Sequence, residues 1–519
     1  MSFFSASRSA NPRPSIVERF GWIKILFCVV IALVFCWGLS FILEYFEYSQ
    51  EVNFLIALAA IILVPAGLIL AWIGLPQGVK AWNKLRHHIR WYHWLWTLMF
   101  ISDFVWSART AQATQADPLA PSTWARIGPE LVIGFVLLLG MARKQIDWPK
   151  SVFQGLFNAI GVFCLIGFIS TFWSVYKPFS AYKSIEFFED AIVLAVVIMN
   201  CVDVEDFEVF WNFAWIITGV NLFWVWCNLL FWPSEALQPV PDTGDPVPRL
   251  QGVVPVVGYN AVGVAGAIIA LVALARLFPY GKRKVENGAW YIGIFIFGCA
   301  SLFMSQTRSA MLGFGLAAIL ILLIAGRFYL LVGTAAAGIA SLLLTPLGPL
   351  AWDFVSRSQS AEELESLSGR TDWWAYGYIV WKQHPYTGVG MYAAGKFAVM
   401  QEIGKGDTAT MHSDWLEIFV GTSVWGLFPV IFLVLACWWL LGHYLTKREF
   451  SLAERQLAME AIGILLILTV RSFFNVELVW HSPSNFFPVV GCAEYLRRRW
   501  RSMQMERESA IAGFSSVAA

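Results

Sequence analysis

Three side chains able to move a proton or accept a hydrogen bond, His412, Ser413 and Asp414, stand together in MHSDWLEIFVG at residues 411–421, where a polar stretch turns into a long apolar run. An unperturbed imidazole titrates near neutrality and can take the proton of a hydroxyl nucleophile. The order His-Ser-Asp invites comparison with a hydrolase triad, but adjacent residues cannot align their side chains in relay, so that chemistry is set aside. The bland alternative for His412 is a capping or packing role, and Ser413 or Asp414 is expected to cap the helix that follows.

Arginines supply the second kind of chemistry. Arg308 lies in SLFMSQTRSAMLGFG, ending one apolar run and beginning the next. A guanidinium there is costly unless it is paired, reaches the interface or faces a polar cavity, so it reads either as a snorkelling helix-end residue or as an anion ligand. Arg370, in LSGRTDWW, follows a glycine suited to a tight turn and precedes Thr371 and Asp372, either of which could cap a helix. Its planar fork could complete a diphosphate clamp with Arg308; a loop ion pair with Asp372 is the alternative. Arg471 stands inside an apolar run six residues before Glu477, and the pair could hold two helices together or support a site. Arg249, Asn260, Lys177 and Lys183 are further polar candidates near helix starts, with structural roles favoured.

These residues must be held by membrane helices. With 58% hydrophobic and 14% charged residues over 519 positions, the chain has more apolar surface than a soluble domain can bury. Apolar runs between residues 25 and 496 give about 12 to 14 spans, including 25–44, 53–74, 91–107, 129–142, 415–441, 456–476 and, weakly, 482–496. Basic residues collect on alternate connections: Lys80 to Arg90, Arg143 to Lys150, Lys282 to Lys284, Lys447 to Arg455 and Arg497 to Arg501. That pattern puts both termini in the cytoplasm and the connections at 173–184, 233–252, 305–308 and 348–412 on the opposite side. The expected organisation is a cytoplasmic segment 1–24, membrane helices over 25–347, an outer loop at 348–412, further helices over 413–496 and a cytoplasmic tail at 497–519. The first apolar run is expected to be retained as a helix.

Eight scattered cysteines without CxxC spacing argue against a zinc site or a disulfide framework. No P-loop, HExxH or dinucleotide fingerprint is present, so no metal, nucleotide or other cofactor is expected. The basic, aromatic stretch KAWNKLRHHIRWYHW is better suited to anionic headgroups than to nucleic acid. Trp373, Trp374 and Trp381 in the outer loop could stack on sugars or pack the loop onto the membrane.

Four stretches in order, SQTRSAMLG at 305–313, LSGRTDWW at 367–374, HPYTGVGMYAAGKF at 384–397 and HSDWLEIFVGTSVWG at 412–426, resemble the O-antigen ligase and O-antigen polymerase superfamily of bacterial inner-membrane glycosyltransferases. The core of the resemblance covers about 290 to 430. It implies an all-α polytopic, GT-C-like enzyme with a large, partly helical periplasmic loop. It further implies transfer of a glycan from undecaprenyl diphosphate to an acceptor hydroxyl on another glycan, a lipid A core or a protein, without a metal and with inversion. By that resemblance Arg308 and Arg370 would hold the diphosphate and His412 would activate or position the acceptor; Arg249, Lys177, Arg471 and Glu477 are supporting candidates on residue type alone. This chain has Ser423 where the family usually has glycine, and Ser413 where asparagine often follows the histidine. A transporter or flippase of a lipid-linked or amphipathic substrate is the rival reading. It predicts midplane polar sites and related halves, and no clear internal repeat is present.

Overall fold

A computed structural model describes residues 73–143 apart from 75, 154–238, 249–281, 285–344, 366–405 apart from 368, 410–479 and 485–517. The expected span at 25–44, nearly all of that at 53–74, the segment 1–24 and the first part of the outer loop lie outside these residues.

The described chain is helical almost throughout, as backbone polar groups in a bilayer require. Its strands are a two-residue antiparallel pair, Leu237–Gln238 with Arg249–Leu250. Helices Pro121–Ala142 (α1), Val204–Phe231 (α2), Tyr259–Leu277 (α3), Gly288–Ser305 (α4) and Asp414–Thr446 (α5) each contain a stretch long and apolar enough to cross a membrane. Arg308–Ile324 (α6) and Phe328–Leu344 (α7) are shorter and apolar. The chain is an all-α polytopic membrane protein.

Two further helices, Lys177–Asn200 (α8) and Leu452–Ser472 (α9), carry more charge, and much of that charge is paired inside the bundle. Glu460 of α9 accepts from Arg276 at 3.0 and 3.1 Å and from Trp211 at 2.7 Å. Glu186 of α8 pairs with Arg126 of α1 at 2.6 Å and with Lys183 of its own helix, while Tyr182 donates to Glu130 at 3.1 Å. Buried charges are tolerable when each meets an opposite charge and its hydrogen bonds, as Glu186 and Glu460 do.

Several boundaries differ from the sequence reading. The run at 91–107 is helical only over Trp91–Ser102, and the run at 129–142 begins eight residues earlier, with Pro121 in the first turn, where its missing N–H costs no bond. From Phe487 onward the weak span at 482–496 lies in Phe487–Val517, a helix that continues through most of the tail.

Small residues set the closest helix contact. A Cβ on Gly266 would meet the Leu302 amide nitrogen at 2.7 Å, and one on Gly298 would meet that of Ala270 at 2.6 Å, so α3 and α4 approach almost backbone to backbone. A second close approach involves the loop before α5. Ser423, inside α5, adopts φ 56° and ψ −149°, a region suited to glycine, and the helix breaks there. The Val420 and Gly421 carbonyls then accept from Val389 and Gly390 at 3.0 and 2.8 Å. The family's usual glycine at this position thus has a conformational reason; here Ser423 donates to Pro385 O at 2.5 Å and accepts from Trp381 at 3.2 Å.

Gly388, at φ +67°, lies against this break, and a Cβ there would come within 2.4 Å of the Gly421 carbonyl carbon. Gly388→Ala is therefore expected to destabilise the protein by about 2–3 kcal/mol through overpacking and backbone strain. A thermal unfolding scan in detergent checks this.

Candidate functional site

Arg308 is placed by the tight link between α4 and α6. Gln306 takes φ +50°, and the Thr307 hydroxyl donates to Tyr259 O at 3.2 Å, bringing the first residue of α6 beside the start of α3. Arg249 lies within electrostatic reach of Arg308, its guanidinium carbon 4.7 Å from the centre of the Tyr259 ring. The Arg249 Nε is buried without a hydrogen-bond partner.

Arg370 begins a helix of the outer loop, Arg370–Gln383 (α10), after Gly369 at φ +81°. Neither Thr371 nor Asp372 caps that helix, and Arg370 does not pair with Asp372. Its Nη1 instead donates to Phe474 O at 2.7 Å, just beyond the end of α9. Burial, followed by the charges of Arg471 and Arg308, lowers the Arg370 guanidinium from its usual value to about 10, while Tyr259 opposes the shift. It remains a cation at neutral pH.

His412 occupies the left-handed region at φ +56°. Its neighbours are anchored: Trp374 donates to Met411 O at 2.9 Å, and the Met411 amide donates to the buried Glu417 carboxylate. The imidazole lies 5.7 Å from the Trp373 ring, tilted by 30°. Neither expected cap forms. Ser413 occupies the N-cap position without a side-chain bond, and Asp414 Oδ2 accepts from the amides of Glu477 and Leu478 at 2.7 and 3.0 Å. Asp414 therefore ties the start of α5 to the turn after α9.

That turn supplies a residue the sequence reading missed. Asn475 Oδ1 is 3.0 Å from His412 Nδ1, and Asn475 Nδ2 donates to Glu477 at 2.9 Å. Since the amide nitrogen is committed to the carboxylate, the amide oxygen faces the ring, and Nδ1 carries the hydrogen. The lone pair is left on Nε2. An available signal was the polar Asn475 between the singled-out Arg471 and Glu477.

Arg471 is fully buried and gathers the surrounding elements. Nε donates to Glu477 at 3.0 Å, Nη1 to Ser309 at 2.9 Å and Nη2 to Asn260 O at 3.3 Å. It also contacts Glu477 through Nη2. One side chain thus joins the starts of α3 and α6 to the end of α9. Burial first, then Arg370 and more weakly Arg471, pushes His412 down to about 4, against the opposing bond from Asn475. The imidazole is neutral at pH 7.

The structure brings Arg249, Arg308, Arg370, Arg471, Glu477 and His412 into one neighbourhood. Lys177 stands apart at the start of α8, near the segment that bonds to Val389 and Met391, and among the described residues no contact joins it to the arginines. Lys183 is buried against Glu186. Next to the arginines, Leu367, Trp374, Ser413, Trp415, Phe473 and Phe474 help line an apolar cavity of about 560 Å³.

Asn475→Leu removes the acceptor that holds the imidazole tautomer while leaving the ring present. The expected result is loss of the preference for the Nδ1–H form, read from the imidazole nitrogen chemical shifts of labelled protein.

A multi-pass helical membrane protein with a cationic cluster beside a neutral histidine is the class defined by this fold and site. Residues 293–431 match the family model described as O-antigen ligase, a segment that includes Arg308, Arg370 and His412 and ends inside α5. Residues 293–431 are thus similar to an O-antigen ligase domain, in agreement with the resemblance, over a little more than a quarter of the chain. No curated protein matches the chain.

Proposed function

We propose that this protein transfers a glycan from an undecaprenyl-diphosphate carrier to an acceptor hydroxyl at the periplasmic face of the bacterial inner membrane, as an O-antigen ligase or a glycan polymerase. The observation that carries the reading is the cluster of four arginines beside a histidine whose Nδ1 is held by Asn475. Guanidinium groups recognise phosphate oxygens by charge and geometry. The adjoining apolar cavity suits the first isoprene units of a carrier.

In this mechanism the acceptor oxygen attacks the anomeric carbon from the face opposite the carrier, and its proton passes to His412 Nε2. The bond from the anomeric carbon to the diphosphate breaks, its electron pair moves to the departing oxygen, and Arg308 and Arg370 stabilise the developing charge. Inversion follows from the opposed attack. The carrier diphosphate serves as the leaving group, so the scheme needs no nucleotide sugar or metal.

Arg308→Ala and Arg370→Ala are each expected to lower transfer by about 10²–10³-fold, with lysine restoring charge but not the two-pronged fit. Transfer to a lipid or glycan acceptor, measured with purified protein and carrier-linked donor, checks this. Unchanged rates in both variants would exclude the clamp. Surface-glycan analysis of a deletion strain separates the two enzyme types: unattached long polymer marks a ligase, and single repeat units mark a polymerase.

A further inference from the structure

Glu417 is fully buried in the first turn of α5, and among the described residues its partners are two backbone amides. One belongs to Met411, six residues earlier, and the other to Gly395, whose N–H donates to Oε2 at 3.0 Å. A carboxylate is costly to bury, and N–H donors beside a helix N-terminus offset that cost.

The first bond bears on His412. Met411 is itself fully buried, its amide taken by Glu417 and its carbonyl by Trp374 at 2.9 Å, so both peptide planes leading into His412 are held. His412 then adopts φ +56°, a conformation that a residue with a Cβ seldom takes unless its surroundings impose it. Relaxation to the ordinary right-handed region would turn the Cα–Cβ bond by roughly 120° about the N–Cα axis and carry the imidazole away from Asn475.

The second bond reaches a fixed frame. Gly395 stands in Ala394–Val399, a π-helical segment. Just before it, the Met391 amide donates to Ser170 Oγ at 3.0 Å, Ser180 Oγ of α8 donates to Met391 O at 2.7 Å, and the Gly390 amide donates to Gly421 O of α5 at 2.8 Å. A Cβ on Gly395 would collide with the Glu417 carboxylate, so glycine is what lets the two meet. Glu417 therefore ties the residue before the histidine to a segment fastened onto α8 and α5.

We infer that Glu417 is a positioning residue for His412: its hold on the Met411 amide keeps the backbone in the conformation in which Nδ1 meets Asn475 and Nε2 is left for the acceptor proton. The inference rests on the reading of His412 as the base of glycan transfer. Glu417 touches neither donor nor acceptor in that reading, so its loss acts on kcat and spares the KM of the donor.

Isotope-labelled histidine in the full-length protein in detergent reports the imidazole tautomer independently of activity. The chain has seven histidines, and the His412 signal is the one lost in His412→Ala. Wild type is expected to show the Nδ1–H form. Glu417→Leu, which fills the space and accepts from neither amide, is expected to lose that preference. Its kcat should fall roughly ten- to hundredfold, with the KM for carrier-linked donor changed by less than about twofold. Gly395→Ala displaces the carboxylate without altering it and is expected to act in the same direction; it decides the matter if Glu417→Leu does not elute as folded protein. A folded variant that keeps the wild-type tautomer, or one whose KM rises while kcat is unchanged, overturns the positioning role. Full transfer by His412→Ala overturns the base instead, and the tautomer measurement still decides whether Glu417 holds the ring.

Discussion

His412→Ala is expected to lower glycan transfer by about 10²–10⁴-fold, the range associated with loss of a positioned general base. The protein should remain in the membrane with its donor affinity little changed, because the arginines are untouched. His412→Gln retains bulk but supplies no titrating base, and should be as impaired as alanine. The pH profile distinguishes a proton acceptor from a packing residue. Burial and neighbouring cations hold the imidazole at about 4, so the free enzyme keeps the competent neutral form down to that pH. The acid limb of kcat/KM, which reports the free enzyme, is expected near pH 4 instead of 6.5. In kcat it should move upward, because bound diphosphate offsets the arginine charge and makes protonation easier. The folded value lies below the unfolded one, so the unfolded chain binds more protons between them, and this group's contribution to stability falls as pH drops from 6.5 to 4. Full transfer activity in both His412 variants would remove the histidine from the mechanism.

The second large effect concerns stability. Arg471→Met is expected to cost about 3–5 kcal/mol, because it leaves the buried Glu477 carboxylate without its cation and releases Ser309 and the Asn260 carbonyl. A thermal scan in detergent should show a clearly lower midpoint. Replacing both members, Arg471→Met with Glu477→Leu, removes the orphaned charge and should recover much of the loss. It should not recover transfer. Asn475 would have lost the carboxylate that orients its amide, and the His412 tautomer would no longer be fixed. Recovery of both properties would show that the pair serves packing alone.

Much of the architecture was legible in local composition. Long apolar runs must satisfy their backbone internally, so membrane helices follow from hydropathy without tertiary information. Where charge interrupts a run, the reading loses boundaries. The run at 129–142 omits the first turns of α1, which contain Arg126, the partner of Glu186 on α8. That pairing spans sixty positions and cannot be seen in either local segment.

The same division holds at the site. Residue type alone marked Arg308, Arg370, His412, Arg471 and Glu477, because charged or titratable groups at the edges of apolar helices are costly to keep without a use. Helix-cap chemistry was also a reasonable local expectation for Ser413 and Asp414, yet long-range bonds redirected Asp414 to the turn after α9. Asn475 acquired its place only when α9 packed beside the start of α5 and faced its amide oxygen to the imidazole. The sequence by itself determined a helical membrane protein and the kinds of side chain available for anion and proton chemistry, since both depend on composition and local spacing. The tertiary structure alone decided which of those side chains meet, because their contacts join helix ends tens to hundreds of residues apart and each depends on the packing of the others.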